Sequence, residues 1–148
     1  SWIFLGELIL DIDLDYDLKF EEDMCGTCTA CIDFCPTSAL DEYQIDAGKC
    51  ISYLNIEHKG DFEEETTDLN GWIYGCDICQ NVCPWNNKFS QISDENLFKP
   101  KEEVLKWTDK DWQNLDEESF RKIFKGSAVK RTKYTGLKRN INSVKNTK

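Results

Sequence analysis

The sequence predicts an α+β fold that is mostly helical, and three observations predict it. Cysteine is packed into two short blocks, each too tightly spaced for a strand; past the second block, apolar residues recur at helical intervals between capping signals; and strand-like alternation is confined to the first twenty residues. The predicted architecture is a compact cysteine-rich unit followed by a small helical C-terminal region.

Taken in order, Trp2 to Leu5 and the alternating Leu10 to Asp17 predict short strands or extended chain forming an edge before the first cysteine. The segment Lys49-Cys-Ile-Ser-Tyr-Leu-Asn-Ile-Glu57 predicts a short helix that carries Cys50 near its start. The acidic run Asp61 to Asp68 predicts a solvated loop. Pro100 can open a helix, Thr108 and Asp111 have the spacing of a capping box, and Asp116 can cap Glu117 to Phe124 before Gly126 stops the helix. A last helix is predicted from about Arg131 to Ile141.

Seven of the eight cysteines form the blocks Cys25-Gly-Thr-Cys28-Thr-Ala-Cys31-Ile-Asp-Phe-Cys35-Pro36 and Cys76-Asp-Ile-Cys79-Gln-Asn-Val-Cys83-Pro84, with Cys50 between them. A cubic 4Fe-4S cluster needs four thiolates. Two-residue spacings let one loop wrap three of its corners, and the fourth comes from elsewhere. In the bacterial ferredoxin pattern the last cysteine of a block ligates the other cluster. Applied here, that pattern gives Cys25, Cys28, Cys31 and Cys83 to one cluster and Cys35, Cys50, Cys76 and Cys79 to a second. The fold is therefore read as a bacterial-ferredoxin-like two-cluster iron–sulfur domain over residues 25–90, with a connector over 1–24 and a basic helical region over 91–148.

Zinc is the competing metal, since paired C-x2-C units also build tetrahedral sites. Four cysteines within eleven residues, with proline after each terminal cysteine of a block, suit a cluster better. A disulfide scaffold is the third reading, disfavoured by the close spacing and by the lack of a secretory signal. Intact clusters imply a reducing cytoplasm, no apolar run is long enough to span a bilayer, and the opening Ser1, without a start methionine, reads as the beginning of a fragment.

The formal net charge of -10 hides a gradient. Residues 1–70 hold 18 acids and 3 bases, whereas residues 71–148 hold 10 acids and 15 bases, and Arg121 to Lys148 contains ten Lys or Arg and no acid. Such a stretch is either a surface for a phosphate backbone or a solvated helical face, and composition leaves both open. No catalytic centre is visible besides the cysteines. His58, the single histidine, reads as a surface residue or one standing behind a metal ligand, the tryptophans and phenylalanines as core, and Trp85 as a shield for a cluster.

Both cysteine blocks, the Lys49–Glu57 segment, the opening Ser1-Trp-Ile-Phe-Leu-Gly-Glu7 and the late Gly126-Ser-Ala-Val-Lys-Arg-Thr-Lys-Tyr-Thr-Gly-Leu-Lys-Arg-Asn-Ile141 resemble the epoxyqueuosine reductase family. Generic ferredoxins share the cysteines but not the Ser-Tyr-Leu helix or the basic ending. The resemblance implies a monomeric, cytoplasmic enzyme of queuosine biosynthesis that reduces epoxyqueuosine to queuosine in transfer RNA with cobalamin beside two 4Fe-4S clusters. It implies electrons from a low-potential donor such as a flavodoxin or ferredoxin passing through the clusters to the cobalt. It also implies an acid from a domain preceding Ser1, so that no catalytic residue is assigned here and the fragment alone is inactive. By position it makes residues 1–24 the end of the cobalamin-binding domain as well as a connector, and places Ser52 and Asp77 toward the corrinoid, and Lys130, Arg131 and Lys133 toward tRNA phosphates. Two rival readings are a stand-alone ferredoxin-like carrier, whose basic tail docks an acidic redox partner, and a relative of the reductive dehalogenases.

Overall fold

A computed structural model describes residues 2, 3, 5–62 and 68–146. Chain from residue 5 to residue 23 runs without regular secondary structure and is exposed throughout. The alternation at 10–17 thus gives extended chain but no paired strand among the described residues, because a strand is stable only against a neighbour that accepts its backbone groups. Part of the predicted opening strand, and positions 63–67 of the predicted acidic loop, lie outside the described residues, while Asp61 and Asp68 are exposed.

The first block folds as a turn followed by the single-turn helix α1 (Ala30–Asp33). A two-stranded antiparallel hairpin comes next, β1 (Leu40–Asp41) and β2 (Gln44–Ile45), with Leu40 opposite Ile45 and Asp41 opposite Gln44. Helix α2 (Ile51–Ile56) has Cys50 as its N-cap, where the predicted helix places it. The second block repeats the first: a turn, then α3 (Ile78–Asn81), after which Pro84 opens α4 (Pro84–Phe89). A proline costs nothing there, since the first helical N–H has no intrahelical acceptor.

Downstream come α5 (Glu102–Leu105), α6 (Asp109–Gln113) and α7 (Glu117–Ile123). Pro100 lies one residue before the α5 cap Lys101 and therefore precedes that helix instead of opening it. Thr108 and Asp111 form the capping box of α6, and Asp116 caps α7 by accepting from the Ser119 N–H at 2.7 Å. Gly126 sits at φ 76°, a conformation glycine adopts without steric cost. A 3-10 turn (Ala128–Thr132) then leads into α8 (Lys133–Asn146), the longest helix among the described residues. The predicted last helix is thus displaced toward the C-terminus, with its first residues in the tighter turn.

Leu115, Phe120, Phe124, Leu137 and Ile141 form the buried core of this region. Trp107 and Trp112, partly buried, pack against it and meet each other edge to face with ring centroids 4.6 Å apart. Trp2 and Trp85 are exposed, so the reading of the tryptophans as core holds only in part. Ala39 and Ile51 are buried beside the cysteines, and Leu69 is buried as well. Each fully buried Leu, Ile or Phe side chain contributes about 1.5–3 kcal/mol by leaving water.

Candidate metal centre

None of the eight cysteines is in a disulfide. The helices deliver them in two sets. Cys35, Cys50, Cys76 and Cys79 line one nearly dry cavity together with Ala39, Leu40, Ile45, Ile51 and Ile78. These four come from the end of the first block, the cap of α2 and the start of the second block. Cys25, Cys28 and Cys31 line a second, wider cleft with Ile32, Leu40, Tyr43 and Ile45.

Electrostatics links the same residues. Desolvation pushes the Cys25 thiol above its ordinary value, and Asp23, Cys31, Cys83 and Cys28 raise it further. Cys83, the N-cap of α4, adds to the charge at Cys25 but is not among the residues that line this cleft. Desolvation likewise raises Cys76, with Cys50, Asp77 and Cys35 adding to it against the Ile78 N–H. Cys79 is raised by burial and then by Cys76 and Cys50. Burial also pushes Cys35 upward, but the N–H groups of Ala39 and Thr37 and the Thr37 hydroxyl outweigh it and hold this thiol below its usual value. The Ala39 N–H donates to Cys35 Sγ at 3.3 Å. N–H donors aimed at sulfur and an apolar, water-poor wall are the features that hold and tune a ligated cluster.

Mutual repulsion of nearby thiolates is relieved when a cation core binds them, so these sets fit a cluster chemically. Among the described residues no three of His, Cys, Asp and Glu converge closely enough for a single metal ion.

The other predicted residues fall around this centre. Ser52 is half-buried in the first turn of α2, two residues beyond Cys50. Asp77 is exposed at the cap of α3, next to Cys76. Trp85 is 41% exposed, stacks on Phe89 and donates its indole N–H to the Met24 carbonyl. His58 contacts the Asp61 carbonyl through Nε2 and stacks on Phe62, apart from both cysteine sets.

The basic residues are less free than composition implies. Arg131 is paired with Glu57, Arg121 with Glu117, and Lys138 donates to the Gln113 and Leu115 carbonyls. Arg139 donates to the carbonyls of Leu54, His58 and Gly60 and lies over the Phe62 ring. Lys130 and Lys133 are exposed. Lys133 holds φ 61° and ψ 170°, a region that lysine enters only when its surroundings impose it.

Residues 24–86 match the model of the 4Fe-4S double cluster binding domain. Along 98% of its length the chain is 51% identical to an epoxyqueuosine reductase of Cellulophaga algicola, of which it covers 47%. In structure it is similar to the epoxyqueuosine reductase of Bacillus subtilis, with a TM-score of 0.76 and 33% identity over 88% of this chain and 35% of that one. A second solved epoxyqueuosine reductase, crystallised with an epoxyqueuosine-modified tRNA-Tyr stem loop, gives 0.73 and 32% over 88% and 34%. Along nearly its whole length the chain is similar to the epoxyqueuosine reductases. It spans about half the length of the curated relatives it matches, and the region matched by the cluster-domain model contains all eight cysteines.

The sequence reading overlooked two features of this chain. The hairpin β1–β2 lines the first cleft, and a buried polar network around Asn55 joins α2 to α8. A signal for the second existed: Asn55 falls on the face of α2 that holds Ile51, and Asn140 on the face of α8 that holds Leu137 and Ile141.

Proposed function

We propose that this chain is the cluster-bearing portion of a cobalamin-dependent epoxyqueuosine reductase, which converts epoxyqueuosine to queuosine in tRNA. Its eight cysteines hold two 4Fe-4S clusters, one on Cys25, Cys28, Cys31 and Cys83 and the other on Cys35, Cys50, Cys76 and Cys79. The observation that carries this reading is the gathering of Cys35, Cys50, Cys76 and Cys79 on one cavity in a chain that aligns with these reductases along nearly its whole length.

The thiolates bind, the Ala39 and Thr37 amides steady Cys35, and the apolar wall of Ile51, Ile78 and Leu40 keeps water off the second site. The first site opens on a cleft, which suits a low-potential donor such as a flavodoxin or ferredoxin. Ser52 and Asp77, each close in sequence to a ligand of the second site, are the residues we assign to the corrinoid. Most of its pocket, and the acid that protonates the opening epoxide, belong to the longer protein, in a monomer of the cytoplasm. Bound there, the corrinoid supplies the redox chemistry that the side chains cannot. Lys130 and Lys133, with Arg131 once released from Glu57, supply phosphate contacts for tRNA.

The deciding experiment is anaerobic purification with iron, acid-labile sulfide and zinc measured per chain. About eight irons and eight sulfides are expected, from two cubes. Zinc at about two per chain without sulfide would overturn the proposal.

A further inference from the structure

Helix α2 presents Cys50 at its start and Asn55 five residues on, and the second half of the helix is held far more firmly than packing alone requires. The Asn55 side chain, wholly buried, embraces one residue's backbone: its Nδ2 donates to the Gly75 carbonyl at 2.8 Å and its Oδ1 accepts from the Gly75 N–H at 2.9 Å. Nδ2 also reaches the Trp72 carbonyl at 3.4 Å. Gly75 precedes Cys76 and sits at φ 72°, so the orientation of that backbone decides where the Cys76 side chain is aimed.

The same residue is held from behind. Its carbonyl accepts from Asn140 Nδ2 at 2.7 Å and from Thr132 Oγ1 at 3.1 Å. Asn140, also wholly buried, donates a second time to the Ile73 carbonyl at 2.9 Å and accepts from Arg139 at Oδ1. Every buried side-chain nitrogen and oxygen among the described residues has a partner. A fully satisfied network in a dry interior is stiff, and removing one member strands the rest without water to replace it.

Among the described residues the first cysteine block has no such clasp. Cys25 and Cys28 are exposed, and the local fastening is Asp23, which accepts from the Cys25 N–H at 2.9 Å and from the Tyr43 hydroxyl at 2.9 Å on the surface.

We propose that Asn55 and Asn140 are positioning residues that set the separation of Cys50 from Cys76, and thereby the geometry and reduction potential of the cluster on Cys35, Cys50, Cys76 and Cys79, leaving the other cluster untouched. This rests on the two-cluster reading above. Neither asparagine is a ligand. Both act through the backbone that precedes Cys76 and through the helix that Cys50 caps.

The test compares parent, Asn55→Ala and Asn140→Ala chains prepared anaerobically, with iron and sulfide counts, circular dichroism, and a redox titration followed by electron paramagnetic resonance. A Cys28→Ala chain identifies the signal of the first cluster. Expected is a selective change: the second cluster shifts its potential and g-values or is lost, iron falling from about eight toward about four, while the first cluster's signal and the helix content persist. If Asn55→Ala does not fold, Asn140→Ala still decides, since it leaves the Gly75 embrace and the Thr132 hydrogen bond in place and removes only the bonds of Asn140 to Asn55, Ile73 and Arg139. Spectra and potentials matching the parent in both variants overturn the proposal, as does equal loss of both clusters together with helix content. A parent that binds no cluster overturns instead the reading on which the proposal rests.

Discussion

The indole N–H of Trp85 donates to the backbone carbonyl of Met24 at 2.9 Å, tying the residue after the second Cys-Pro to the residue before the first cysteine. This bond spans 61 positions and brings the end of one block against the start of the other. It draws the end of the second block toward Cys25, whose thiol Cys83 helps to raise.

Cys83→Ala is therefore expected to damage the cluster on Cys25, Cys28 and Cys31 and to spare the one on its own neighbours Cys76 and Cys79. Anaerobic iron counts with cluster-resolved spectroscopy check this. Loss of the signal assigned to Cys50 and Cys76 in that variant would falsify the reciprocal arrangement.

Stability should respond most sharply in the C-terminal core. Leu137 is fully buried in a cluster with Leu115, Phe120, Phe124 and Ile141. Leu137→Ala strips side-chain volume from that cluster and leaves a cavity, at a cost of about 2–5 kcal/mol. Denaturant titration followed by tryptophan fluorescence reads the change, because Trp107 and Trp112 pack on the same core. A difference under about 1 kcal/mol would mean that the core collapses around the gap.

The cap of α2 at Cys50, the box at Thr108 and Asp111 and the cap at Asp116 are legible in the sequence because they rest on residues acting within one turn, where local spacing is enough to find them. The hairpin escaped because each strand is two residues long and its loop has Tyr43, not glycine, at φ 54°. The Asn55 and Asn140 network escaped because its bonds join positions 67 to 85 residues apart, apart from those to Trp72 and Gly75. The alternation at 10–17 has the strand period but no neighbour among the described residues, and a period alone does not supply one. For the basic tail, composition counts charges, while folding commits Arg131, Lys138 and Arg139 to specific acceptors.

The helix caps should make part of the stability depend on acid. Hydrogen bonds from Thr108 hold the Asp111 carboxyl below its usual range, and the Ser119 N–H does the same for Asp116. A carboxylate whose folded value is depressed stabilises the fold above its unfolded value, and that stabilisation disappears as pH falls through the folded value. The difference in unfolding midpoint between parent and an Asp111→Asn, Asp116→Asn chain should accordingly be full near pH 6 and shrink as pH falls below the ordinary aspartate range. A difference that stays constant across that range would show that the caps act through shape, not charge.

The final expectation concerns the basic surface and the tRNA contacts proposed for it. A cation contributes to polyanion binding by displacing condensed counterions, and it does so only if it is free to leave its own partner. Arg131 must first break its pair with Glu57, and Arg139 is held by three carbonyls, whereas Lys130 and Lys133 are exposed. Lys130→Gln with Lys133→Gln should weaken tRNA binding and flatten the plot of log affinity against log salt by roughly 0.7–0.9 for each phosphate no longer neutralised. Arg131→Gln alone should do less, because Glu57 already offsets much of that charge. Adding Glu57→Gln to the parent should strengthen binding by unpairing Arg131. Affinities measured across a salt series for these four chains separate the contributions, and superimposable plots for the parent and the double lysine variant would assign tRNA recognition to other surfaces of the longer protein.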